Sequence, residues 1–255
     1  MPKNNHAAGP LAPIPGRNAV LAALQAGRGF AEVLVDAHAR PDPKLEAIAA
    51  QCRARGIAQR EVPRADLERL CPGLPHQGVV GMALPRPAVT LEQILARCAR
   101  EGRDPCLLLL RRVAFEQNLA AVLRTGDACG VDAVVVPSKQ GAGVSANVAR
   151  VSMGASEHVP VIRQSLLAAA AVLRRTGVRL VAAEAGAGEP LWEADLTGPL
   201  ALVLGGEHEG VSDPLLARCD QVVSIPMRGH VNSLNVSVAC GMLLYERLRQ
   251  TEKGR

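Results

Sequence analysis

The chain has 255 residues, 29 basic against 24 acidic, a formal net charge of +5 and a hydrophobic fraction of 48%. This length predicts one or two domains with an ample core, and the composition excludes a disordered chain. It contains no run of about 18 apolar residues, as a membrane-spanning helix requires, and Met1 to Pro10 lacks an apolar signal core, so a cytoplasmic protein is expected.

The first predicted elements form a small α/β unit over residues 14–84. A helix runs from Ala19 to Ala26, a strand from Glu32 to Asp36, a helix from Leu45 to Arg55 stopped by Gly56, and a strand from Val79 to Leu84. Pro85-Arg86-Pro87 breaks regular structure and sets the domain boundary. Residues 1–85 are thus one domain, and 86–104 a linker with an amphipathic helix from Thr90 to Arg100, capped by Thr90. The second domain, 105–255, alternates strands and helices. Cys106–Leu110, Ala133–Val136, Val178–Ala183, Leu200–Leu204 and Gln221–Ile225 read as strands. Asn118–Cys129, Ser145–Met153, Leu166–Thr176 and Leu234–Arg249 read as helices. Continuous apolar strands between helices predict an α/β fold with a mostly parallel sheet covered on both faces.

Seven cysteines (Cys52, Cys71, Cys98, Cys106, Cys129, Cys219 and Cys240) are scattered, with no C-x-x-C pair. The pattern excludes a zinc finger or disulfide framework and suits reduced thiols in a core. Four of the 29 basic residues are lysine. The arginine excess has two readings: a GC-rich coding sequence, or phosphate recognition by the guanidinium fork. Phe30, Phe115, Trp192 and Tyr245 are the whole aromatic set, so extensive base stacking is not how this chain would hold RNA.

Four segments offer chemistry, each with a plainer alternative. Gly141, Gly143 and Ala146 fit G-x-G-x-x-A, but a long loop precedes them and they do not follow the first strand, which favours a flexible loop over a dinucleotide site. Asn118 can cap its helix, while Arg124 either pairs with Asp127 at i+3 or serves a site. Gly205-Gly206-Glu207-His208-Glu209-Gly210 follows an apolar strand, where open α/β sheets bind ligands; the alternative is an acidic turn. His208 has no partner at ligand spacing, so no metal is expected. Ser233 and Asn235 open the closing helix, Ser233 as its cap, and no G-x-S-x-G elbow supports a serine triad.

Three of these segments, in this order, resemble the motifs of the SpoU (TrmH-type) branch of the SPOUT RNA methyltransferases. The blocks are Asn118 to Arg124, Leu202 to Gly210, and Ile225-Pro-Met-x-Gly229-x-Val-x-Ser233-Leu-Asn235-Val-Ser. Residues 14–84, with His76-Gln-Gly-Val-Val, resemble the family's substrate-binding domain of ribosomal protein L30e type. The resemblance implies transfer of a methyl group from S-adenosylmethionine to a ribose 2′-hydroxyl of RNA, with a guanosine in 23S rRNA as the nearest match. It also implies a trefoil knot in the C-terminal domain and a homodimer, and it involves neither membrane nor metal. It maps catalysis to Asn118, Arg124, Glu207, Ser233 and Asn235. It maps the cofactor to Gly205, Gly206, Ile225, Met227, Ser233 and Leu234. The first domain would grip RNA, with Arg17 and Asn18 as candidate contacts, joined by Arg111 and Arg112. The family proposal makes Arg124 the general base; a guanidinium that stays protonated can instead hold a phosphate and stabilise a developing alkoxide. The sequence departs from the family at Phe115-Glu116-Gln117, Ala120 and His208. An RNA-binding protein that kept the fold without turnover is the alternative function.

Overall fold

The structure is a computed structural model and describes residues 11–113, 115–138, 144–206 and 209–253. The first elements are β1 (Ala12–Pro15), α1 (Arg17–Gln25), β2 (Phe30–Asp36), α2 (Pro43–Arg55), β3 (Ala58–Val62), α3 (Arg64–Leu70) and β4 (Val79–Ala83). Next come α4 (Leu91–Arg100), β5 (Cys106–Leu110), α5 (Glu116–Ala128), β6 (Ala133–Val136), α6 (Ala146–Val151) and β7 (Val161–Arg163). Then follow α7 (Leu166–Arg175), β8 (Arg179–Ala183), β9 (Glu189–Pro190), β10 (Leu200–Leu204), α8 (Asp213–Leu216), β11 (Gln221–Ser224) and α9 (Val236–Lys253). The chain divides into two compact units, residues 11–87 with 144–158, and residues 88–138 with 159–253. The division at residue 85 read from the sequence keeps 105–255 whole; by packing, 144–158 joins the first unit.

The first unit is a four-stranded sheet in the order β1-β4-β2-β3, with β2 and β3 parallel and the other pairs antiparallel. Its main core gathers Val20, Leu24, Phe30, Val33, Ile48 and Val79. Both edge strands and α3 are absent from the sequence-based assignment. β1 carries two prolines, which an edge strand tolerates because one side of its backbone needs no partner. β3 exposes four of its five residues, so it has no apolar alternation to read. α6 packs on β1 and α1, and Arg86 donates to the carbonyls of Ser156 and Glu157 at 2.8 and 3.1 Å.

The second unit is a seven-stranded sheet in the order β7-β6-β5-β10-β8-β11-β9, and every registered pair is parallel. All residues of β5 and β10 are buried, as their unbroken apolar runs predict. One face packs against α4, α7 and α8 through Ile94, Leu166, Ala170, Leu173 and Leu215. α9 contacts β10 and packs along α5. Thr90 caps α4 in a full capping box with Gln93.

Two expected caps are corrected. α5 begins at Glu116 with Phe115 at the N-cap position, so Asn118 lies in the first turn. α9 is capped by Asn235, not Ser233. Asn235 Oδ1 accepts from Ser237 N–H at 2.9 Å, and its carbonyl accepts from Val238 and Ala239 N–H at 3.0 Å. The cysteines are free thiols; Cys52, Cys71, Cys98, Cys106 and Cys240 are buried, and burial pushes the Cys240 thiol up to about 12. Asp132 is a buried carboxylate of the second unit. It takes Cys106 N–H at 2.9 Å and pairs with Arg103 at 2.6 Å and Arg97 at 3.3 Å. Among the described residues no helix is long and apolar enough to cross a membrane, and no group of three or more His, Cys, Asp or Glu side chains could hold a metal.

Candidate active site

The C-terminal ends of β8, β10 and β11 open into a cavity of about 360 Å³, closed on another side by the segment leading into α9. Parallel sheets place their ligand sites at this strand edge, and the volume suits a nucleoside-sized ligand. Gly205, Gly206, Ile225, Met227, Ser233 and Leu234, the six positions mapped to the cofactor, all line it.

Chain chemistry explains the cavity's shape. β10 ends at Leu204, and the chain folds back so that Gly210 N–H donates to Gly206 O at 3.1 Å in an isolated antiparallel bridge. A Cβ on Gly205 would run into the backbone of Gly210, and Gly210 has a left-handed φ of 58°. Only glycine meets both conditions at little cost. The fold-back is also held from β5. Arg111 N–H donates to Leu204 O at 2.9 Å, and its guanidinium donates to the carbonyls of Glu209 and Gly210 at 3.1 and 2.9 Å. Arg112 meets the Glu209 carboxylate at 2.7 Å and Arg111 meets it at 3.1 Å. Each such pair contributes little alone; together they fix the cavity rim. Arg111 and Arg112, expected as RNA contacts, are thus engaged in holding this loop.

Two positions mapped to catalysis meet. Asn235 Nδ2 donates to Asn118 Oδ1 at 3.1 Å, joining the N-terminus of α9 to the first turn of α5. The cap fixes the orientation: with Oδ1 committed to Ser237 N–H and, at 2.6 Å, to Ser237 Oγ, the amide nitrogen points to Asn118. Arg124 is exposed on α5 and forms no hydrogen bond or ion pair among the described residues, so the Asp127 pairing is not seen. Glu207, His208, Gly141 and Gly143 lie outside the described residues.

In the first unit Arg17 opens α1 and is tied down. Its Nε donates to Gln77 O at 2.9 Å, its guanidinium donates to Arg40 O at 3.2 Å, and it pairs with Asp42 at 2.5 Å. This holds the His76-Gln77-Gly78 turn, where Gln77 has a φ of 53°. His76 is buried, and its Nδ1 accepts from Gly78 N–H at 3.1 Å; burial lowers its pKa. Asn18 accepts from Lys44 at 2.6 Å. Glu184, which lines the cavity, escaped the sequence reading. The available signal for Glu184 was a lone acid directly after a buried strand ending on the same sheet edge as β10.

A parallel α/β sheet with a nucleoside-sized cavity at its strand ends, beside a paired-asparagine junction, defines a ligand-using α/β enzyme. Residues 105–245 match the SpoU rRNA Methylase family, and residues 13–87 match the RNA 2′-O ribose methyltransferase substrate-binding family. A 23S rRNA (guanosine-2′-O-)-methyltransferase, RlmB, of Vibrio cholerae is 37% identical over 245 residues, 94% of this chain and 97% of that protein. The crystal structure of an RNA 2′-O ribose methyltransferase superposes with a TM-score of 0.76 at 32% identity, covering 94% of this chain and 88% of the other. The SpoU methyltransferase AviRb from Streptomyces viridochromogenes superposes with a TM-score of 0.79 at 25% identity, covering 96% and 91%. This chain belongs to the SpoU rRNA methylase family.

Proposed function

We propose that this chain transfers a methyl group from S-adenosylmethionine to a ribose 2′-hydroxyl of RNA, at a guanosine of 23S rRNA. The observation that carries the reading is the cavity lined by all six residues mapped to the cofactor, with the Asn118–Asn235 junction at its edge. Relatives that share nearly the full length and carry that activity support the substrate. S-adenosylmethionine supplies an electrophilic methyl group when bound. The glycine fold-back lets the ligand approach the backbone closely. Asn118, Ser233 and Asn235 orient the ribose, and Arg124 offers a cation to the oxygen that gains charge. Glu207 belongs to the same proposed set. The first unit binds the RNA fold, and the protein works in the cytoplasm on ribosomal RNA. Full-length relatives that are 23S rRNA (guanosine-2′-O-)-methyltransferases favour catalysis over a binding protein without turnover.

Mapping of 2′-O-methyl marks in total RNA tests this. Deletion of the gene is expected to remove one guanosine mark in 23S rRNA, and the wild-type gene is expected to restore it. An unchanged map would sink the assignment.

The proposal includes a homodimer and the family's knot. Val238, Met242 and Tyr245 are exposed at i, i+4 and i+7 on α9, an apolar stripe on one helix face. Met242→Glu is expected to convert a dimer to a monomer in sedimentation; a monomeric wild type would overturn this.

A further inference from the structure

Glu184 stands directly after β8, and its side chain reaches the returning arm of the 205–210 fold-back. Its Oε1 accepts from Val211 N–H, while its own backbone N–H donates to Val223 O at 3.0 Å. Glu184 is therefore anchored to β11 by its backbone and to the fold-back by its carboxylate. A Cβ on Gly210 would lie 2.6 Å from Oε2, so glycine at 210 preserves the space this oxygen occupies. Among the described residues lining the cavity, Glu184 has the one charged side chain. It forms no ion pair among the described residues.

A wall of apolar and neutral polar groups carrying one carboxylate that forms no ion pair among the described residues favours a cation over a neutral ligand of the same shape. S-adenosylmethionine and its product, S-adenosylhomocysteine, differ by one methyl group and one positive charge on sulfur. Transfer of the methyl leaves the bonding electron pair on sulfur and removes that charge. Resting on the methyl-transfer reading above, we propose that Glu184 is a specificity-determining residue, by which the cavity prefers the charged sulfonium cofactor to the neutral thioether product. The same residue then weakens the hold on the product once the reaction is over.

Calorimetric titration of the full-length protein with each ligand tests this apart from activity. Glu184→Gln keeps an oxygen for Val211 N–H and removes the charge. It is expected to weaken S-adenosylmethionine about tenfold and to change S-adenosylhomocysteine less than about twofold. Glu184→Asp, which keeps the charge, is expected to hold the ratio of the two affinities near that of the wild type. Added salt is expected to shrink the wild-type preference. Equal weakening of both ligands by Glu184→Gln, or no effect on either, overturns the proposal. A wild type that binds neither ligand would instead overturn the methyl-transfer reading itself.

Discussion

Arg124→Ala is expected to lower turnover on ribosomal RNA about a thousandfold, the scale on which one transition-state contact is lost, while calorimetric affinity for S-adenosylmethionine stays within about twofold. The expectation rests on position. Arg124 shares α5 with Asn118, whose amide meets the α9 cap, and α5 packs along α9 at the cavity edge. Its guanidinium is exposed and has no partner among the described residues, so its loss removes no structural contact seen there. The variant should therefore melt like the wild type. Arg124→Lys, which keeps the charge and loses the fork, should recover part of the activity. Near-normal turnover in Arg124→Ala would remove this residue from the mechanism.

Asp132→Ala is expected to destabilise the second unit strongly. Burial alone raises the Asp132 pKa, but Arg103 and the Cys106 N–H outweigh it and hold the carboxyl below its usual range. Removing one partner of a buried pair costs about 3–5 kcal/mol. Arg97 and Arg103 are partly exposed and can turn to water, so the lower end applies, about 3 kcal/mol. That is a fall of roughly 6–12 °C in Tm by the usual scaling. The sign with pH follows from the depressed folded pKa. The carboxylate's contribution is full above its unfolded value near 4 and fades as pH drops through the folded value. Wild type and variant should therefore converge in acid, below about pH 4, as followed by calorimetry. A gap that stays constant as the pH falls well below about 4 would show that lost packing, not the ion pair, sets the difference.

Much of the second unit was legible because its strands are buried on both faces. Cys106–Leu110, Ala133–Val136 and Leu200–Leu204 are unbroken apolar runs, and their observed bounds agree with the expected ones. The edges were not legible. β3 is mostly exposed, β7 has three residues and β9 two, too few to show a period. The positions assigned to the cofactor came from the resemblance to the family; the residues alone offered a glycine-rich strand end and a helix start. The roles of Arg111, Arg112 and Arg17 could not be found in this way. Local sequence shows a cation, but its partner sits far along the chain: Glu209 for the first two, Gln77 for the third. The capping of α9 by Asn235 instead of Ser233 is a smaller case, because both residue types cap well and only geometry separates them.

The discontinuity of the first unit has a consequence for synthesis. Residues 11–87 lack the segment that packs on β1 and α1 until α6 and the turn after it have been made. Gly154 belongs to that turn and sits directly against Ala22, so the fit is close and not a loose cover. The second unit waits longer still, because β10 pairs with both β5 and β8 and separates them in the sheet. A nascent chain therefore carries an unfinished apolar surface on each unit through most of its translation. Pairings this distant in sequence form slowly and expose the chain to misassembly. Expression of residues 11–87 alone would reproduce that unfinished intermediate, with the apolar faces of β1 and α1 open to water, and not an autonomous domain.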